Sequence, residues 1–101
     1  SRISNLASDI AAKVLNHSKN IGFELKALRT LVIQNAESFG NDYERLAGEL
    51  FDIMANDDAY SSEQLAIVVE GIYRISRVQI NKEIQFAGML LRLLSGIDCE
   101  D

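Results

Sequence analysis

The sequence predicts an all-α fold, an antiparallel helical bundle of three long helical segments, and three observations predict it. The 101 residues include no proline, the residue that most strongly interrupts a helix. Hydrophobic residues make up 48% of the chain but aromatic residues only 7%, so the core has to be built from Leu, Ile, Val and Ala. Apolar residues recur at spacings of three, four and seven, the period of a helix with one buried face. This length suits a single domain burying about two-thirds of the surface its unfolded chain exposes. No repeat, linker or low-complexity segment divides residues 1–101.

The first segment carries Ile3, Ala7, Ile10, Val14, Ile21, Leu25, Leu28, Val32 and Phe39 on one stripe. The stripe keeps its phase across the stretch LNHSKNIG, residues 15–22, although Asn16, Ser18, Asn20 and Gly22 are weak helix formers. Preserved phase favours one continuous helix of roughly 35 residues. A break near residues 18–22, where serine and glycine together permit a kink, would make four helices of the three segments.

Gly40 then offers a left-handed terminator and Asn41 an N-cap, with Glu44 three residues on as the far side of a capping box. The second segment places Tyr43, Leu46, Ala47, Leu50, Phe51 and Met54 on one face and ends in NDDAYSS. Ser61 with Gln64 forms another capping box that opens a third segment, from Ser62 to about Ser95, where Gly96 stops it. Read as one helix, that segment buries Leu65, Val69, Ile72, Ile80, Ile84, Ala87, Leu91 and Leu94 together. Gly22, Gly48, Gly71 and Gly88 fall inside the segments, where a small residue lets helices cross closely or kink.

Charge and composition narrow the function classes. A formal net charge of −5 and a pI near 4.8 repel phosphate backbones and anionic lipid, so neither nucleic acid nor membrane is the expected partner. A lone Cys99 has no second thiol for a disulfide or a metal and reads as a free thiol in a reducing, cytoplasmic compartment. No apolar run approaches the roughly 18 residues of a membrane span, and no secretory leader is recognisable. The chain opens with Ser1 rather than Met, as a domain cut from a longer protein would.

Catalytic and metal chemistry find little to work with. His17, the single histidine, falls on the apolar face of the first helix as a helix-seam residue, with neither a second histidine nor paired cysteines to share a metal. No nucleophile elbow, phosphate-binding loop or dinucleotide fingerprint occurs. The expectation is therefore a protein that is not an enzyme and has no cofactor or metal. Asn16-His17-Ser18 matches a glycosylation sequon, a three-residue pattern common by chance. The acidic stretch at Asp57 and Asp58 lacks a calcium loop's alternation of oxygens, since Ala59 occupies its third position.

Two features point instead to partners. From Phe86 to Ile97 almost no polar side remains, and a helix apolar all round has to be covered all round, either by tight packing at the centre of its own bundle or by a partner. Phe86, Met89, Leu90, Leu93, Leu94 and Ile97 are accordingly the candidate interface for a protein partner or a second copy. Between Glu37 and Glu63 the acidic residues face Arg45 alone, making Glu44, Glu49 and Asp52 a candidate acidic surface for a basic partner.

The function expected is a protein-interaction or self-association helical domain, an accessory or regulatory module. A DNA-binding regulator is the alternative. It would use a degenerate helix-turn-helix over residues 61–84, with Ala66 and Gly71 one residue too far apart and Arg74, Arg77 and Lys82 as phosphate contacts diluted by Glu70 and Glu83. A bundle binding a small ligand in a cavity near His17 stands further off.

Overall fold

The computed structural model describes residues 2–96. It folds them into α1 (Arg2–Leu15), α2 (Ile21–Gln34), α3 (Tyr43–Ala55), α4 (Ser62–Arg77) and α5 (Lys82–Ser95), with one short 3-10 turn at Ala36–Phe39. The helical bundle is the class the periodicity predicts, but the described residues form five α-helices because the first and third segments both break.

The first break, between α1 and α2, follows from polar side chains taking over backbone groups. The Asn20 side chain accepts the Phe23 amide at 3.1 Å, an N-cap that starts a new helix instead of continuing the old one. Glu24 reaches back to accept the Ser18 amide at 2.7 Å, and Lys13 on α1 lies 3.6 Å from the same carboxylate. Both helices still turn the predicted stripe inward, for Ile3, Ala7, Ile10 and Val14 on α1 and Leu28 and Val32 on α2 are all buried. Continuity of phase reflected a shared core here, not a shared helix.

The second break, at residues 78–81, has no glycine or proline to announce it. Val78 is extended, and Asn81 takes the left-handed conformation at φ 64°, which asparagine tolerates better than other side-chain-bearing residues. Lys82 fixes the corner: its ammonium donates to the Ile75 carbonyl at 2.7 Å and lies 3.2 Å from the Glu44 carboxylate. This corner shifts the phase of everything after it. Of the single face expected for residues 62–95, only Leu94 is fully buried, while Val69, Ile80, Ile84 and Leu91 are exposed.

A smaller correction concerns the start of α3. Gly40 is left-handed as expected, but Asn41 is left-handed too, at φ 57°, and lies one residue ahead of the cap. Asp42 takes that role and accepts the Arg45 amide at 3.0 Å. The capping box at the start of α4 is present in full, with Gln64 donating its amide to Ser61 and accepting the Ser61 amide in return.

Packing is organised around α3, which touches α1, α4 and α5. Leu46, Leu50 and Met54 on α3 meet a core completed by Ile10, Val68, Ile75, Phe86 and Met89, and Tyr43 holds its ring edge-on to Phe39 at 5.3 Å between centroids. Helices α4 and α5 run antiparallel, with Gly71 packed directly against Met89, where an added Cβ would sit 2.5 Å from Met89 Sδ. A side chain there would separate the pair. The outer helix α2 lies on α5, joined by a two-point ion pair in which Arg29 donates to both Glu83 oxygens at 2.7 and 2.8 Å.

Candidate functional site

The candidate interface drawn from the leucine-rich segment is the core. Phe86, Met89, Leu90, Leu93 and Leu94 are each at most 4% exposed, enclosed by α2, α3 and α4, and they offer no surface to a partner. Their density of apolar groups reflects a helix covered on two flanks by its own chain. Ile97 lies outside the described residues. The apolar positions on the remaining side of α5 are Ile84 and Leu91, which the one-helix reading had assigned to the core.

The acidic candidates are dispersed. Glu44 faces Lys82 at the α4–α5 corner, Glu49 accepts the Ser4 hydroxyl at 3.1 Å on the α1 side, and Asp52 is exposed between them. Two of the three carboxylates are thus engaged within the chain, on different neighbours, and no single acidic wall forms.

His17 is not on a helix face. It lies in the connection after α1, with Nδ1 donating to the Ser18 carbonyl at 2.8 Å. The open groove beside this stretch, about 210 Å³, is lined by Asp9, Ala12, Lys13 and Asn16 without it. The degenerate helix-turn-helix of the alternative reading, over residues 61–84, is absent as drawn, because α4 runs unbroken through Gly71 and the turn comes at residues 78–81. Asp57 spends a carboxylate oxygen on the Ala59 amide at 2.9 Å, and the described residues contain no cluster of three metal-ligating side chains. No described helix is long and apolar enough to cross a membrane.

What the fold does assemble is a mixed apolar and basic face on the α4–α5 hairpin. Val69, Tyr73 and Arg77 follow one another at helical spacing along the outer side of α4, and Ile84, Gly88 and Leu91 along the outer side of α5. Ile80, 74% exposed, stands on the connection between them. Between the helices lies an open groove of about 380 Å³ lined by Tyr73, Arg74, Arg77, Val78 and Gln85. Five of the eight large exposed hydrophobic side chains of the described residues belong to this hairpin, where a scattering without meaning would spread them over every helix.

The groove's cations are held in place. The Arg77 guanidinium lies 5.3 Å from the Tyr73 ring centroid and donates to the Tyr73 hydroxyl at 2.9 Å, so ring and charge form one unit. Arg74 donates to Glu70 one turn back at 3.1 Å, the helical pair the sequence suggests. No carboxylate lines the groove itself. A second opening of about 460 Å³, at the far end of the same hairpin, presents Ser61 and Gln64, both committed to the α4 cap.

No protein-family model, no curated protein and no solved structure matches the chain.

Proposed function

We propose that this chain is a non-enzymatic protein-interaction domain, an accessory or regulatory module, that binds its partner through the outer face of the α4–α5 hairpin. The observation that carries the reading is the exposure of Val69, Tyr73, Ile80, Ile84 and Leu91 on one supersecondary unit. Apolar surface returned to cover contributes about 25 cal/mol per Å², and anchors at helical spacing beside a tyrosine and an arginine have the composition of interface centres. The partner site is part of a rigid scaffold, since the opposite faces of the same two helices form the core. A single thiol, Cys99, goes with a reducing, cytoplasmic setting.

The hydrogen bond of His17 to a backbone carbonyl and the engagement of Glu24 by the Ser18 amide support a structural role for the LNHSKNIG stretch rather than an acid–base one. A photo-crosslinking amino acid at position 84, compared with one at exposed position 30 on α2, tests the reading in the cells that make the protein. Discrete adducts at position 84 only, lost when Leu91→Asp is added, are expected. Equal labelling at both positions, or adducts indifferent to Leu91→Asp, would overturn it.

A further inference from the structure

Given that reading of the hairpin face, we infer that the groove between α4 and α5 receives an amphipathic helix of a partner protein whose apolar stripe is edged by carboxylates. Three features of the face select this occupant. Its apolar groups stand in two rows, Val69 and Tyr73 on one helix and Ile84 and Leu91 on the other, with Ile80 closing one end. Tyr73 and Val78 supply the apolar part of the furrow's own lining, and Ile84 and Leu91 stand on the outer side of α5, apolar groups against which the stripe of a partner helix can lie. The furrow's lining is Tyr73, Arg74, Arg77, Val78 and Gln85; Arg74 is paired with Glu70 one turn back, which leaves the Arg77 guanidinium, held on Tyr73, as the lining cation outside an ion pair, in a chain whose net charge is −5. Beyond a Debye length of about 8 to 10 Å the chain's acidity is largely screened, and with Glu70 committed to Arg74 the Arg77 guanidinium is the group that selects the flank charge of a partner.

The guanidinium of Arg77 is pre-placed for this task. Its hydrogen bond to the Tyr73 hydroxyl uses one N–H and leaves the remainder of a planar donor array at the furrow, where a carboxylate can accept a forked pair. Gln85 across the furrow adds an amide able to donate or accept.

The other occupants of a basic face fit less well. Two arginines displace few counterions from a duplex, and the isoleucine and leucine rows beside them make no contact a phosphate backbone rewards. Anionic lipid surfaces are held by clusters of about four to eight basic residues.

The test uses the whole chain and two synthetic helical peptides of about 18 residues, roughly five turns. Both carry leucine at the i, i+3, i+4, i+7 positions; one has Glu on both flanks of that stripe and the other Lys. Fluorescence anisotropy at physiological salt is expected to show the Glu peptide binding at least about tenfold tighter. Arg74→Glu with Arg77→Glu should reverse that preference, and Ile84→Asp should weaken both peptides. If the two peptides bind equally and Ile84→Asp abolishes both, the hairpin is an interaction face but the acidic partner is wrong. If neither peptide binds while position 84 still crosslinks, the helical occupant is wrong and the interaction reading stands. Binding of a labelled DNA duplex or of phosphatidylserine vesicles that disappears with the two arginine changes would overturn the inference in favour of those anions, and a dimer by light scattering that Ile84→Asp dissolves would overturn it in favour of a second copy.

Discussion

The Tyr60 hydroxyl donates to the Ala11 carbonyl across 2.7 Å, and this bond fastens the loop after α3 to the middle of α1. The ring is buried, so its hydroxyl has to find a partner inside, and it finds one that belongs to another helix. Tyr60→Phe keeps the packing and removes the bond. It is expected to cost about 0.5–1.5 kcal/mol, a fall in Tm of several degrees for a domain this small, measured by thermal and urea unfolding. An unchanged Tm would show that the loop is held by packing of the ring alone.

Two glycines inside helices should respond in opposite directions to alanine. At Gly48 on α3 an added Cβ has nothing within 4 Å, so Gly48→Ala should stabilise the fold by up to about 1 kcal/mol through helix propensity. At Gly71 the same methyl would lie 2.5 Å from Met89 Sδ and 2.7 Å from Met89 Cγ. Overpacking of this kind costs about 1–3 kcal/mol, more than the propensity gain, and Gly71→Ala should be net destabilising. Adding Met89→Ala to Gly71→Ala should cost less than the two changes summed, because the smaller neighbour admits the methyl.

Which parts of this architecture were legible in the sequence depends on how each helix end is made. Ends written in local chemistry were readable: the Ser61 and Gln64 box, left-handed Gly40 and Gly96, and the inward stripe of α3 from Tyr43 to Met54. The Asn20 and Asp42 caps are local too but were missed, because the unbroken phase of the apolar stripe favoured continuity and Asn41 offered a competing cap. Ends made by longer-range contacts gave no local signal at all. The corner at Asn81 depends on Lys82 reaching the Ile75 carbonyl seven residues back and Glu44 on another helix, and the flanking Val78 and Ile80 carry no turn signal. Missing that corner rotated the expected face of α5, so Ile84 and Leu91 were assigned to the core while the buried Phe86, Met89, Leu90 and Leu93 were left as candidates for an interface as well as for packing within the bundle. Tyr60 was hidden in the same way, since a lone aromatic in a polar loop gives no periodic cue.

The clamp at the start of α2 should make stability depend on pH. Glu24 is only 6% exposed, and the Ser18 amide, with Ser18's further hydrogen bonding and the Lys13 ammonium behind it, holds its carboxyl below the ordinary value of 4.5. A carboxyl with a lowered folded value binds protons more readily in the unfolded chain. Its contribution is therefore complete above the ordinary value and is lost as pH falls through the folded one. Glu24→Gln should be less stable than the parent at neutral pH, and the difference should shrink as pH is lowered below about 4.5. Urea midpoints across a pH series check this; a gap of constant size would mean that the charge is not what the clamp uses.

The assignment of inside and outside on α5 is open to the most direct test. Leu90 is 1% exposed among α5's neighbours, whereas Ile84 on the opposite side of the same helix is 54% exposed. Replacing Leu90 with lysine would bury a cation without a partner, a change that costs several kcal/mol against a total stability of only about 5–15. Replacing Ile84 with aspartate leaves the new charge in water, and surface changes of this kind usually stay within about 0.5 kcal/mol. Leu90→Lys is thus expected to be unfolded or molten by circular dichroism, and Ile84→Asp to keep the parent's spectrum and urea midpoint. The phase expected from a single helix over residues 62–95 demands the reverse, because that reading places Ile84 in the core and Leu90 at a surface. A folded Leu90→Lys variant beside an unfolded Ile84→Asp variant would restore that phase and remove the hairpin face on which the proposed interaction rests.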